Sequence, residues 1–305
     1  MNHIDKIAGK LYQIINEFRR NPNNLEYDGT PIIEKIKDII NQSLPLKIIL
    51  PAFHGKSNNR DFVISHLPDY GEYLGIKTLT QLYDKLSTVY PQVEILILHE
   101  GHFHADVELF GNDNDVKAYM IEFRKLISPY GYMKSYCINE LILEGATFDE
   151  KRNYFLNYYC PTLQNVEELI KSGGRLKSLY LAYKKLYQEK IADLGKSTLS
   201  CKQLRDFSKD RSLLQLRKYI GFAKLIQIMF ANDKFIKLSW VYKDNSVTDQ
   251  ISIKVLGNDT QLGTPGFFSV VQDSNGKIDF ITKKQAVENG FLLKTYNKLP
   301  YYAAI

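Results

Sequence analysis

Apolar residues follow two alternating rhythms through the first half of the chain. Ile4, Ile7, Leu11, Ile14, Ile15 and Phe18 recur at helical spacing and predict an amphipathic helix, ended by Asn21-Pro22-Asn23-Asn24. Ile32, Ile33, Ile36, Ile39 and Ile40 form a second stripe, with Pro31 at the first helical position and Pro45 after the end. Lys47-Ile48-Ile49-Leu50 is then a short, β-branched run of the kind that makes a buried strand. Leu74 to Val89 predicts another helix, Val93 to Leu98 a second buried strand, and Asp113 to Ile127 a helix stopped at Pro129. Strand, helix, strand, helix is the signature of a mainly parallel sheet with covering helices, an α/β fold of Rossmann-like kind.

Beyond residue 130 the rhythm changes. Val166 to Ile191 is helical and lysine-rich, broken at Gly173-Gly174, and Leu213 to Phe230 is a further helix. Strand-like segments follow at Phe235–Tyr242, Ile251–Leu256, Phe267–Val271 and Ile278–Ile281, with Asp273-Ser274-Asn275-Gly276 as a hairpin turn between the last two. A boundary near residue 130 divides the chain into a Rossmann-like part, 1–130, and a helical and strand-rich part, 131–305, which can share one sheet with the first.

Composition narrows the class. The 305 residues carry 44% hydrophobic and 24% charged residues, ordinary for a globular protein. The net charge of +6 favours anionic ligands slightly, without the clustering that marks a nucleic-acid surface. Cys137, Cys160 and Cys201 are far apart, which argues for a reducing compartment and against a disulfide scaffold or zinc finger. The first residues lack the apolar core of a signal peptide, and no apolar run is long enough to span a membrane. A cytoplasmic protein is expected.

Candidate chemistry gathers where the two strands end. After Leu50 and Pro51 comes His54-Gly55-Lys56-Ser57-Asn58-Asn59-Arg60-Asp61, then Pro68-Asp69-Tyr70-Gly71-Glu72. Open α/β sheets bind ligands at such strand ends, and Lys56 with Ser57 suits a phosphate. A solvated loop accounts for the same residues. A nucleotide-binding P-loop does not fit, because it needs Gly where Leu50 stands and Pro51 removes a donor. Asp69 and Glu72 also have the spacing of a helix capping box. After the second strand, His102, His104 and Asp106 share one face if the segment is extended, and two imidazoles with a carboxylate can hold zinc. All six histidines precede residue 105, so no later histidine completes such a site. No G-x-S-x-G elbow is present. Lys171, Arg175, Lys177, Lys184, Lys185 and Lys190, interleaved with Tyr180, Tyr183 and Tyr187, are explained by a solvated helix face as well as by nucleic acid.

The order of these motifs resembles the isocyanide (isonitrile) synthase family, also called the pyoverdine/dityrosine biosynthesis family. LPAFHGKSNN followed by LPDYGE carries the strongest match, through Lys56, Ser57, Asn58, Pro68, Asp69, Gly71 and Glu72. LILHEGHFHADV retains Gly101 and Asp106, FIKLSW retains Ser239 with Lys237 in place of Arg, and GTPGFFSVV retains Thr264 and Pro265. The chain departs from the family pattern at His54 (Pro), Glu100 (Asp), His104 (Phe) and Gly266-Phe267 (Trp-His), and it lacks the histidine after the FIKLSW strand. It has the look of a divergent member.

The resemblance implies an enzyme that condenses the amine of a tyrosine- or tryptophan-type amino acid with ribulose 5-phosphate, without metal or redox cofactor, and forms an isonitrile with release of phosphate. It implies Lys56, Ser57 and Asn58 as a phosphate clasp, with Ser239 and Thr264 as further binding groups. Lys237 or Arg217 becomes the cation for the amino-acid carboxylate, and Asp69, Glu72, Asp106 and His104 the acids and bases. An iron/2-oxoglutarate oxygenase is the implied pathway neighbour, with neither nucleic acid nor membrane as a partner. Three alternatives stay open: another lyase or transferase on the same scaffold, a metal-dependent hydrolase using His102, His104 and Asp106, and a non-catalytic binder of a phosphorylated metabolite.

Overall fold

A computed structural model of the chain describes residues 3–20, 28–107, 110–190, 199–231, 234–240, 250–255 and 265–304. The two predicted apolar runs form β1 (Leu46–Pro51) and β2 (Val93–His99), preceded by α1 (His3–Glu17) and α2 (Thr30–Asn41) and separated by α3 (Tyr70–Ser87). Then come α4 (Gly101–His104), α5 (Asp113–Ile127), β3 (Met133–Cys137), α6 (Ile138–Leu141), α7 (Phe148–Tyr158), α8 (Leu163–Lys171), α9 (Gly174–Lys185) and the long α10 (Cys201–Met229). β4 (Phe235–Ser239) and β5 (Gln250–Ser252) follow, then β6 (Ser269–Gln272), β7 (Ile278–Ile281), α11 (Lys283–Glu288), β8 (Leu292–Tyr296) and β9 (Leu299–Ala303).

β1 to β5 make one sheet in the order β3-β2-β1-β4-β5, parallel at every pairing. The sheet takes strands from both sides of residue 130, because α10 carries the chain back so that β4 pairs with the first strand. Side chains alternate across a strand, so the sheet has two apolar faces. Ile48, Leu50, Ile95, Ile97, Ile236 and Leu238 belong to a core shared with α1, α2, α3 and α5. Ile49, Leu96 and Leu98 pack with Phe155 of α7 and Phe222, Leu225 and Ile226 of α10. The order reverses direction between β1 and β4, and such switch points open a crevice at the carboxyl ends of the strands. A second sheet, β7-β6-β9-β8, is antiparallel except at β6–β9, and the segment leading into β6, Pro265–Phe267, reaches that crevice.

Three expectations change. His102, His104 and Asp106 do not lie on an extended segment: residues 101–104 are helical and 105–107 form a 3-10 turn, so His104 at i+2 turns away from His102 and the three no longer share a face. β4 stops at Ser239 and β5 at Ser252, and residues 241, 242, 256 and Thr264 lie outside the described residues. The unforeseen β8–β9 hairpin turns through Asn297 and Lys298, with φ of 49° and 69°, the two positive values a tight hairpin turn needs. Among the described residues no helix is long and apolar enough to cross a membrane.

Candidate active site

The carboxyl ends of β1 and β4 frame a cavity of about 120 Å³, lined by Pro51, Ala52, Phe53, His54, Gly55, Glu72, Phe110, Trp240, Pro265, Gly266 and Phe267. Its position is the switch point. Its walls are mainly aromatic, and its polar groups fall into two clusters.

The backbone at the end of β1 is held in an uncommon shape. Phe53 has φ +57°, a left-handed conformation that a bulky residue rarely adopts. His99, at the end of β2, holds it: one ring nitrogen is 2.6 Å from the Phe53 carbonyl and the other 2.6 Å from Ser135 Oγ. A carbonyl only accepts, so Nδ1 carries the proton and Nε2 accepts from the serine. Burial lowers the His99 pKa to about 3, which keeps that tautomer neutral. The strained turn sets the Phe53 ring 4.4 Å from Trp240, edge to face.

The first polar cluster is Lys56, Asp69, Glu72 and Tyr119, all 2% exposed or less. Asp69 caps α3 and Glu72 closes the box, so the helix start aims both carboxyls at one spot. Lys56 Nζ lies 2.8 Å from Asp69 Oδ2 and 2.8 Å from Glu72 Oε2, and donates to the Pro265 carbonyl at 2.7 Å. The Tyr119 hydroxyl donates to Glu72 Oε1 at 3.1 Å. One cation faces two buried carboxyls, and one of them yields. Burial, with Glu72 adding and Lys56 opposing, pushes the Asp69 carboxyl up to about 7. Asp69 Oδ2 meets Lys56 as an ion contact without an aligned hydrogen bond, which makes it the natural seat of the extra proton. Lys56 therefore faces inward, its ammonium group enclosed by three acceptors. Its neighbours stitch the walls together: the Ser57 amide donates to the Gly266 carbonyl at 2.6 Å, and Ser57 bridges Phe110. Of the two asparagines, Asn59 is buried and holds the Asp61 amide, while Asn58 is half-buried.

The second cluster is Glu100 between two imidazoles. Its oxygens lie 3.5 Å from His54 Nε2 and 3.4 Å from His104 Nε2. The Glu100 amide donates to His54 Nδ1, so His54 carries its proton on Nε2, toward the carboxylate. Burial lowers the His54 pKa to about 4. Burial also works against the Glu100 charge, but His104 and His54, with Lys237 behind them, outweigh it and hold the carboxyl below its usual range. His104 Nδ1 is buried without a partner among the described residues. The closeness depends on Gly101, where an added Cβ would stand 1.8 Å from the His54 carbonyl oxygen.

The remaining expected site residues scatter. His102 pairs with Asp113 at 2.9 Å and stacks on Phe148, while Arg152 ties Asp113 to the His102 carbonyl. His104 faces Glu100, and Asp106 pairs with Lys218 of α10. The three proposed metal ligands thus have three separate partners, and among the described residues no group of three such side chains gathers. Arg217 donates to the Pro161 carbonyl at 2.6 Å and the Leu156 carbonyl at 3.0 Å, which fastens the end of α7. Lys237 is half-buried on β4 near Glu100, and the Ser239 carbonyl accepts from Ile253. Lys218, Tyr119 and Trp240 escaped the sequence reading. Lys218 had one readable signal: it falls in step with the buried stripe Gln215, Phe222 and Leu225 of α10.

A parallel sheet with an aromatic cavity at its switch point, flanked by a buried acid–base centre and a carboxylate between imidazoles, defines an α/β protein with an enzyme-like active site. The chain belongs to the pyoverdine/dityrosine biosynthesis protein family, whose sequence model matches residues 36–293. It is 26% identical over 281 residues to an L-tryptophan isonitrile synthase, AmbI2, of Fischerella ambigua, covering 90% of this chain and 82% of that one. It is 25% identical over 236 residues to an L-tyrosine isonitrile synthase of Xenorhabdus nematophila, covering 74% and 70%. The fold is that of the PvcA protein from Pseudomonas aeruginosa, with a TM-score of 0.88, 19% identity, and coverage of 98% of this chain and 100% of that one.

Proposed function

We propose that this protein is an isonitrile synthase that joins the amine of a tyrosine- or tryptophan-type amino acid to ribulose 5-phosphate. The amine condenses with the sugar's ketone and water leaves. Proton transfers, departure of phosphate and carbon–carbon cleavage then leave the former carbonyl carbon as the isonitrile carbon. The names of the relatives support the product class. The observation that carries the reading is the Asp69 carboxyl, pushed up to about 7 beside the aromatic cavity. A group poised near neutral both gives and takes protons, and this reaction needs both.

The two clusters divide the work. Glu72 reaches the cavity wall with Asp69 and Lys56 behind it. Lys56 is assigned to holding the carboxyls in a shared protonation state rather than to meeting the phosphate. Behind His54, which lines the cavity, Glu100 is held by His54 and His104 and serves as a second proton acceptor. Lys237 is the cation for the amino-acid carboxylate. The product calls for an oxidising neighbour such as an iron/2-oxoglutarate oxygenase.

The test is incubation of the protein with single amino acids and ribulose 5-phosphate, followed by assays for isonitrile and free phosphate. Isonitrile from an aromatic amino acid, with matching phosphate, is expected. Binding of the pentulose phosphate without product from any amino acid would favour the non-catalytic binder.

A further inference from the structure

Trp240 is the only tryptophan in the chain, and it closes β4 at the cavity wall. It is 4% exposed, and among the described residues its Nε1–H has no hydrogen-bond acceptor. Buried indole N–H groups usually find a partner, so an unanswered donor in a cavity wall marks a place for a ligand's acceptor. The ring is not free to turn away. Phe53 meets it edge to face at 4.4 Å, and an added Cβ on Gly75 of α3 would come within 2.7 Å of its rim. Across the cavity stand Phe110 and Phe267, with ring centroids 5.5 Å apart. Glu72 supplies an acceptor in the same wall, where Oε1 already takes the Tyr119 hydroxyl proton and keeps a second lone pair.

Size decides which ligand group fits. The cavity measures about 120 Å³. An apolar cavity of ~150 Å³ takes up one benzene molecule. The space therefore suits one six-membered ring and is too small for the fused rings of an indole. A phenol has one ring, one acceptor oxygen and one donor hydrogen, which matches the walls, the Trp240 donor and the Glu72 acceptor.

We infer that this cavity is the side-chain subsite of the amino-acid substrate, and that Trp240 Nε1–H selects a 4-hydroxyphenyl group over phenyl and indole. The inference rests on the proposed isonitrile chemistry, because it takes an amino acid as substrate, but its test does not need turnover.

The single tryptophan reports on its own site. Wild-type protein is titrated with p-cresol, toluene and 3-methylindole while tryptophan emission is followed. p-Cresol should shift the emission and bind about tenfold or more tighter than either of the others. In turnover, kcat/KM for tyrosine should exceed that for phenylalanine and tryptophan in the same order. Trp240→Phe keeps an aromatic wall and removes the donor, so the tyrosine-over-phenylalanine ratio should fall about tenfold. Equal affinity for p-cresol and toluene overturns the subsite, as does an unchanged ratio in Trp240→Phe. The titration alone decides should that variant not fold. Tight p-cresol binding without isonitrile from any amino acid would leave the subsite standing and remove the proposed reaction.

Discussion

Replacing Asp69 by Asn removes the one carboxyl held near neutral while preserving its shape and its acceptor for the Gly71 amide. In the unfolded chain an aspartate titrates near 3.9, and in the folded protein this one titrates at about 7. Between those values the native state holds a proton that the unfolded chain has released. The contribution of Asp69 to stability is therefore full below about pH 4 and is lost as pH rises toward 7. A span of about three units at about 1.4 kcal/mol each makes the whole effect about 4 kcal/mol, of which about 2 falls between pH 5 and 7. His54 and His99 act in the opposite sense. Their pKa values are lowered to about 4 and about 3, so their contributions are full above about 6.5 and are lost on acidification. The wild-type curve mixes both trends, and the difference between Asp69→Asn and wild type isolates the carboxyl. Urea unfolding at half-unit steps from pH 5 to 8 should show the variant gaining about 2 kcal/mol on wild type by pH 7 and levelling off by pH 8. Curves parallel throughout would refute the shared-proton centre.

Lys56→Met leaves two buried carboxyls without their cation and should cost about 3–5 kcal/mol in denaturant unfolding, less below pH 7 where the Asp69 carboxyl is protonated. Gly101→Ala drives a Cβ to 1.8 Å from the His54 carbonyl; a loss of about 1–3 kcal/mol or more, with activity falling further than stability, is expected from melting and turnover assays. His104→Gln takes away the imidazole that helps hold Glu100 below its usual range, so the acid limb of the kcat/KM profile should move to higher pH, and an unmoved limb removes Glu100 from proton transfer.

The sheet's centre was readable because β1 and β2 are buried on both faces and so appear as unbroken apolar runs. β3 was not. It lies at the sheet's edge, only its end residues are buried, and Lys134 answers Glu94 across the pair at 3.2 Å. β8 is exposed at every position, so its apolar side chains have no periodicity to reveal it. The first half of α10 hid behind its polar residues until Leu213. At the site, the capping box of Asp69 and Glu72 was legible from spacing alone. Lys56 was legible as important, but its inward direction depends on Pro265, 209 residues away. The H-x-H-x-D run misled because an alternation argument holds only for a strand, and Gly101 begins a helical turn.

His54, Glu100 and His104, three positions read above as departures from the resembled pattern, form one cluster, with each imidazole against the carboxylate. Restoring any one alone strands another: a carboxylate loses a donor, or an imidazole loses the acceptor that sets its tautomer. Two short segments, 53–57 and 99–106, thus behave as a single heritable unit. Exchanging parts with relatives preserves the site only when both segments travel together.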